Sequence, residues 1–304
     1  MKFINKFIGA ISIVILCMVL VIFWFRKGLL FAGGEESLIF YDVHKSYALF
    51  NSVWYNTDTG YQSLVNIART PLFWFLSFIS NLGFSNIQLQ AFTFFTLLSV
   101  GGLSIYFLIK ETVTTDLELK RKDWLPFLAA IFYIFNPFSM SQIWGRGLTF
   151  QFFSFALIPL FLLFFILGLK RRNIIFGLLA VIFSLFLSAA YAHPAIVLVM
   201  WANAGLYFLF YLAWIRKQRK DLFFSVVYFF IVLTAWLFIH AFWIYPTLQI
   251  GNHLLENSTR NDGVAVLQGV IIPTPLQIVI RLVHNGVYYI DRIYGSIYTS
   301  LFYL

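Results

Sequence analysis

Along most of this chain, long unbroken apolar runs alternate with short polar or basic joints. Runs at about 7–25, 87–109, 125–143, 149–169, 174–191, 195–214 and 222–246 each approach the roughly 20 residues, at 1.5 Å rise, that a helix needs to cross a hydrocarbon core of about 30 Å. They are rich in Phe, Leu and Ile. None alternates polar and apolar positions as a membrane β-barrel strand would. The pattern therefore predicts an all-α integral membrane protein of about seven transmembrane helices, since helices satisfy their backbone polar groups within one segment.

This reading divides the chain into four parts. Residues 1–25 form the first transmembrane helix, 26–86 an outer loop, 87–246 a six-helix bundle and 247–304 an outer C-terminal segment. Within the loop, Val43, Tyr47, Phe50 and Trp54 recur at helical spacing, which predicts a short amphipathic helix lying in the membrane surface. The apolar stretch from Pro71 to Phe84 is too short to span, so it is expected to be re-entrant or a second surface helix. Asn136 and Pro137 interrupt the third span and predict a kink. Between the fifth and sixth spans, SAAYAHPA leaves room only for a tight hairpin.

Orientation comes from the basic residues, which are retained on the cytoplasmic side when they flank spans. With the N-terminus inside, the cytoplasmic segments carry Lys2 and Lys6; Lys110, Lys120, Arg121 and Lys122; Lys170, Arg171 and Arg172; and Arg216, Lys217, Arg219 and Lys220. The net charge of +9 thus belongs mainly to the cytoplasmic rim of a multi-pass plasma-membrane protein, and no nucleic-acid partner is needed to explain it. Trp24, Trp124, Trp144, Trp214 and Trp243 fall near span ends, where the indole prefers the headgroup layer. The first span is read as an uncleaved anchor, because its apolar stretch exceeds a signal-peptide core and no A-x-A site follows. The single Cys17 excludes an intramolecular disulfide.

Most of the remaining polar chemistry lies on the outer side. Transfer of a sugar from a lipid-linked phosphate needs a carboxylate to deprotonate the acceptor hydroxyl and a positive group to neutralise the departing phosphate. Glu35, Glu36 and Asp42 are the candidate catalytic acids, with a helix cap as the plainer role for Asp42. Lys45, Arg69, Arg146 and His193 are the candidate substrate-binding residues, because guanidinium matches phosphate geometry and imidazole binds it when protonated. No metal-ligand spacing, P-loop, nucleophile elbow or dinucleotide fingerprint is present. No cofactor is assigned by the sequence, and the chemistry accommodates a divalent cation such as Mg or Mn beside the phosphate.

The opening loop GGEESLIFYD, the later WYNTDTGY and the proline-led apolar segment resemble the first outer loop of GT-C class membrane glycosyltransferases. The likeness is to the large polytopic proteins related to the arabinofuranosyltransferases. Residues 133–165, YIFNPFSMSQIWGRGLTFQFFSFALIPLFLLFF from position 133 onward, and FWIYPTLQ at 242–249 are similar to a span pair and a helix end in that class. The resemblance implies a GT-C-like fold, a polyprenyl-phosphate sugar donor, a glycan or lipid acceptor of the cell envelope, and inverting transfer. It places the catalytic carboxylate on Glu35 or Glu36, with Asp42 as the next acid. Relatives often carry aspartate early in this loop, where this chain has glutamates. Many also continue into a large outer carbohydrate-binding region, so a minimal, truncated or inactive member is an open alternative. Two other classes stand beside the enzyme: a non-catalytic scaffold of envelope polysaccharide synthesis, and a lipid or solute transporter. Spans nearly free of charge speak against ion-coupled transport, since a charge at mid-membrane costs at least about 2.5 kcal/mol.

Overall fold

The computed structural model describes residues 2–31, 39–52, 54–55, 61–62, 67–114, 124–137, 139–140, 143, 149–191, 194–215 and 219–260. These form nine α-helices and one two-stranded ladder: α1 (Lys2–Phe25), α2 (Val43–Phe50), β1 (Trp54–Tyr55), β2 (Tyr61–Gln62), α3 (Thr70–Asn81), α4 (Asn86–Ile109), α5 (Trp124–Phe135), α6 (Thr149–Arg171), α7 (Ile174–Leu187), α8 (Pro194–Ile215) and α9 (Arg219–Arg260). A π-helical turn, Lys110–Thr114, extends α4, and a 3-10 turn, Ser188–Ala190, extends α7. The strands pair antiparallel, with Trp54 opposite Gln62 and Tyr55 opposite Tyr61.

Among the described residues five helical segments are long and apolar enough to cross a membrane: Phe7–Phe25, Asn86–Val113, Thr149–Arg171, Ile196–Ala213 and Leu222–Leu248. Trp124–Phe135 and Ile174–Ala190 are apolar but shorter. The third expected span differs most from its prediction. Its helix ends at Phe135, where Asn136 folds its side chain back on the chain: Oδ1 accepts from Ser139 N at 3.0 Å, and Nδ2 donates to Tyr133 O at 2.6 Å. Pro137 cannot donate to the helical ladder, and helical structure resumes at Pro137, with Met140 N donating to Asn136 O at 3.0 Å, so the predicted kink is a break between two helical segments capped by Asn136. At the other extreme α9 does not stop near residue 246. It carries Pro246 inside it and continues to Arg260, so the first residues of the expected outer segment are helical.

The bundle is built around α6. Of its spanning window 72% is buried, against 22% for α1 and α9 and 17% for α8. The peripheral helices instead expose large apolar side chains such as Ile15, Ile22, Leu206, Phe210 and Phe238, a surface suited to lipid. Because lipid tails are as apolar as these side chains, cohesion between helices must come from close packing. Gly168 and Gly177 supply it on α6 and α7: a Cβ at either would stand 2.2 and 2.8 Å from Tyr228 Oη. That hydroxyl donates to Phe165 O at 3.0 Å, which ties α9 to α6. Pro159 lacks an N–H and frees the carbonyl of Phe155, four residues back. Tyr133 Oη donates to that carbonyl at 2.8 Å, while its ring stacks on Phe155 with centroids 4.4 Å apart.

Two ends of the bundle are chemically distinct. At one, Arg171 pairs with Glu111 at 3.0 Å and Lys170 Nζ donates to Glu111 O at 2.6 Å. At the other, the segment after α1 is tied to α4 by Gln90, which is buried. Its amide accepts from Phe31 N and donates to Phe31 O, both at 2.7 Å, as a neighbouring β-strand would. Phe94 lies beneath, with the rings of Trp24, Phe25, Phe31, Phe40 and Phe152 within 6.4 Å of its centroid.

Candidate functional site

The residues that build the candidate site converge where α2, α3, α6 and the end of α7 meet. Asp42 starts α2: its backbone is extended and its carboxylate accepts from Lys45 N at 2.9 Å. Val43 anchors the apolar face of this short helix in the interior, and Trp54, expected on the same helix, lies in β1 instead. Helix α3 begins with Pro71 in its first turn, where the missing N–H costs nothing. The two helices are locked together by Thr70 Oγ1, which donates to Phe50 O at 2.7 Å, and by a 2.7 Å bond between His44 Nδ1 and Ser77 Oγ. Ser188 Oγ donates to Ala68 O and so fastens the start of α3 to the end of α7.

These contacts fix Arg69. Its guanidinium carbon lies 4.0 Å from the Phe150 ring centroid and 5.4 Å from that of Phe50. Phe73 closes the group, with centroids 4.4 Å from Phe50 and 6.5 Å from Phe150. Each cation–π contact contributes about 0.5 to 2 kcal/mol. The result is a half-buried, permanently charged group held by rings on two helices, with planar N–H donors of the geometry that pairs with phosphate.

A half-open cavity of about 220 Å³ lies between α3, α4, α6 and α7. Leu72 and Leu76, Thr96 and Val100, Phe153, and Phe183 contribute to its wall. Thr93 also borders it, but its hydroxyl is turned back to Leu89 O at 2.8 Å. The chamber is therefore almost wholly apolar.

Of the seven residues proposed from the sequence, Asp42, Lys45 and Arg69 are among the described residues. Glu35, Glu36, Arg146 and His193 lie outside them. Asp42 and Lys45, both exposed, share the first turn of α2, and Phe50 at the other end of that helix meets Arg69. The observed bond assigns Asp42 the capping role. Among the described residues no group of three or more His, Cys, Asp or Glu is placed to hold a metal ion.

A second polar group, not anticipated, lies between α7 and α9. His240 is fully buried. Trp243 Nε1 donates to its Nδ1 at 3.0 Å, and its Nε2 is 2.9 Å from Ser184 Oγ. An indole N–H only donates, so Nδ1 accepts and the neutral ring carries its proton on Nε2, which donates to Ser184 Oγ. That hydroxyl in turn donates to Val181 O at 2.6 Å. Trp243, read from the sequence as a headgroup anchor, is thus engaged in this chain. The rings of Trp236 and Tyr191 pack on His240 with centroids 4.7 and 5.4 Å away. Trp236, His240 and Trp243 recur at helical spacing on one face, and that was the signal available.

A model of the family described as the 6-pyruvoyl-tetrahydropterin synthase related domain, a membrane protein, matches residues 70–302. No curated protein and no solved structure matches the chain.

Proposed function

The chain belongs to the 6-pyruvoyl-tetrahydropterin synthase related family of membrane proteins, and we propose that it is a glycosyltransferase using a polyprenyl-phosphate sugar at the outer face of the plasma membrane. The carrying observation is the fixed Arg69 cation, set among Phe50, Phe73 and Phe150 where the surface helices meet the bundle. A cation held there is suited to the phosphate of a lipid-linked donor, whose charge grows as the sugar departs.

In this reading the protein crosses the membrane seven times, with α5 and α7 as the two short crossings. The N-terminus and the Glu111 end are cytoplasmic, and the Arg69 end faces outward. The acceptor is a glycan or lipid of the cell envelope. Lys45, Arg146 and His193 are further candidates for holding the donor. Because Asp42 caps α2, the general base is assigned to Glu35 or Glu36. The carboxylate takes the proton of the acceptor hydroxyl as its oxygen attacks the anomeric carbon, and the lipid phosphate leaves against the arginine.

The test is transfer of label from radiolabelled polyprenyl-phosphate sugars in membranes carrying the native chain or Arg69→Gln at equal level. The native chain should transfer label, and the variant should lose at least about tenfold, the consequence of removing one charge-assisted contact. Equal transfer by both would remove Arg69 from the reaction.

A further inference from the structure

We infer that the outward face of α8 is a dimerisation surface, on which Asn203 pairs with the same residue of a second copy of this chain in the same membrane. The inference goes beyond the transferase reading and does not rest on it. Three observations carry it.

The first is an amide facing lipid. Asn203 lies near the middle of the span Ile196–Ala213 and is exposed. Its Nδ2 donates to Val199 O at 2.7 Å, one turn back on the same helix, which leaves a second N–H and the acceptor Oδ1 over. Among the described residues it is the one exposed Asn or Gln of the five spans that stands away from a helix end. Gln88, also exposed, sits in the first turn of α4 and bonds to Ser85. Hydrocarbon supplies no partner for the leftover groups, so an amide at this depth calls for a neighbouring protein surface.

The second is the pattern around it. Met200, Ala204 and Phe208 are buried and turn α8 toward the bundle. On another side Val199, Asn203, Leu206, Phe210 and Ala213 are all exposed. Their spacings alternate between four and three, the repeat of a left-handed helix pair, with Asn203 at a core position of that repeat. A single Asn at such a position fixes register and the number of strands. Ala202, exposed beside it, is small enough to admit a close neighbour.

The third identifies the occupant. Two copies inserted in one membrane share an orientation, so a two-fold axis along the membrane normal sets each residue opposite itself at equal depth. The leftover N–H of one Asn203 then meets the leftover Oδ1 of the other, and the reverse, which makes the amide its own complement. Leu206 and Phe210 add packing but little drive, because lipid tails are as apolar as they are. The amide decides the pairing.

The experiment combines sedimentation equilibrium of the full-length protein in density-matched neutral micelles with oxidative crosslinking of single cysteines in membranes, in a Cys17→Ser background. The native chain should dimerise reversibly. Asn203→Leu should raise the dimer dissociation constant about five- to thirtyfold, the effect of losing hydrogen bonds between membrane helices, and Asn203→Gln should restore part of the affinity. Leu206→Cys should yield a covalent dimer, whereas Phe238→Cys, on the exposed face of α9, should not. Adding Asn203→Leu to Leu206→Cys should slow the crosslink by a similar factor.

A native chain that stays monomeric at every concentration, whether lipid or its own later residues cover the stripe, would overturn the inference. So would Asn203→Leu dimerising as tightly as the native chain, or Phe238→Cys crosslinking as fast as Leu206→Cys. Asn203 faces away from the interior, so the variants should keep the native circular dichroism spectrum, and a lost dimer then reports the surface rather than the fold.

Discussion

Polar side chains inside an apolar protein are informative because each must find a partner, and several here identify theirs. Tyr133 serves the carbonyl that Pro159 releases on α6. Removing its hydroxyl in Tyr133→Phe leaves Phe155 O buried without that donor, and a cost of about 1 to 3 kcal/mol is expected, read from reversible unfolding in mixed micelles. Ser184→Ala removes the acceptor of His240 Nε2–H and should cost less, roughly 0.6 to 2 kcal/mol, the range of hydrogen bonds between membrane helices. Asp42 provides the contrasting case at the surface. Its bond to Lys45 N is a cap, so Asp42→Ala should weaken α2 by about 1 kcal/mol, seen as faster amide exchange over residues 43–50, whereas Asp42→Asn should preserve both the helix and any activity. The capping position of Asp42 was readable from the sequence. The identities of most partners were not. Gln90 with Phe31, Tyr133 with Phe155 and His240 with Ser184 are distant pairs that only the packed bundle brings together.

Among the described residues, the apolar runs fell on α1 and α4 to α9, five of which are long and apolar enough to cross a membrane, because length and composition in a bilayer leave few alternatives. The Asn136–Pro137 pair marked the end of α5 through two local effects, a side chain competing for backbone groups and a missing N–H. What the runs did not convey was which helix is central. Over their spanning windows α6 is hardly more apolar than α9, yet it is surrounded while α9 faces outward, and its position follows from small residues that admit close neighbours. Gly168 is one of these. Gly168→Ala would press a methyl group onto the Tyr228 ring and should cost about 1 to 3 kcal/mol, with α9 loosening from α6. A paired Tyr228→Phe would relieve part of the clash at Oη but forfeit the bond to Phe165 O, so the double variant should remain less stable than native. Helices α2 and α3 were anticipated as surface or re-entrant elements. Their mutual lock through Thr70, Phe50, His44 and Ser77 was not, since it depends on two short helices meeting after an intervening ladder.

For the molecule as a whole, the two ends carry different chemistry: Lys170, Arg171 and Glu111 at one, and Arg69 with its aromatic partners at the other. The proposed topology makes the first cytoplasmic and the second outward. Single cysteines placed in a Cys17→Ser background test it directly. Cysteine at Asn173 should react with an impermeant maleimide only after the membrane is opened, and cysteine at Ser85 should react in intact cells; the reverse pattern would invert the molecule.

The account stands most directly on sugar transfer from radiolabelled polyprenyl phosphates, measured in membranes for the native chain, Glu35→Gln, Glu36→Gln and Asp42→Asn at equal expression. It predicts transfer by the native chain, its loss in one of the two glutamate variants and its retention in Asp42→Asn. Folded native protein that transfers no sugar from any such donor would contradict it.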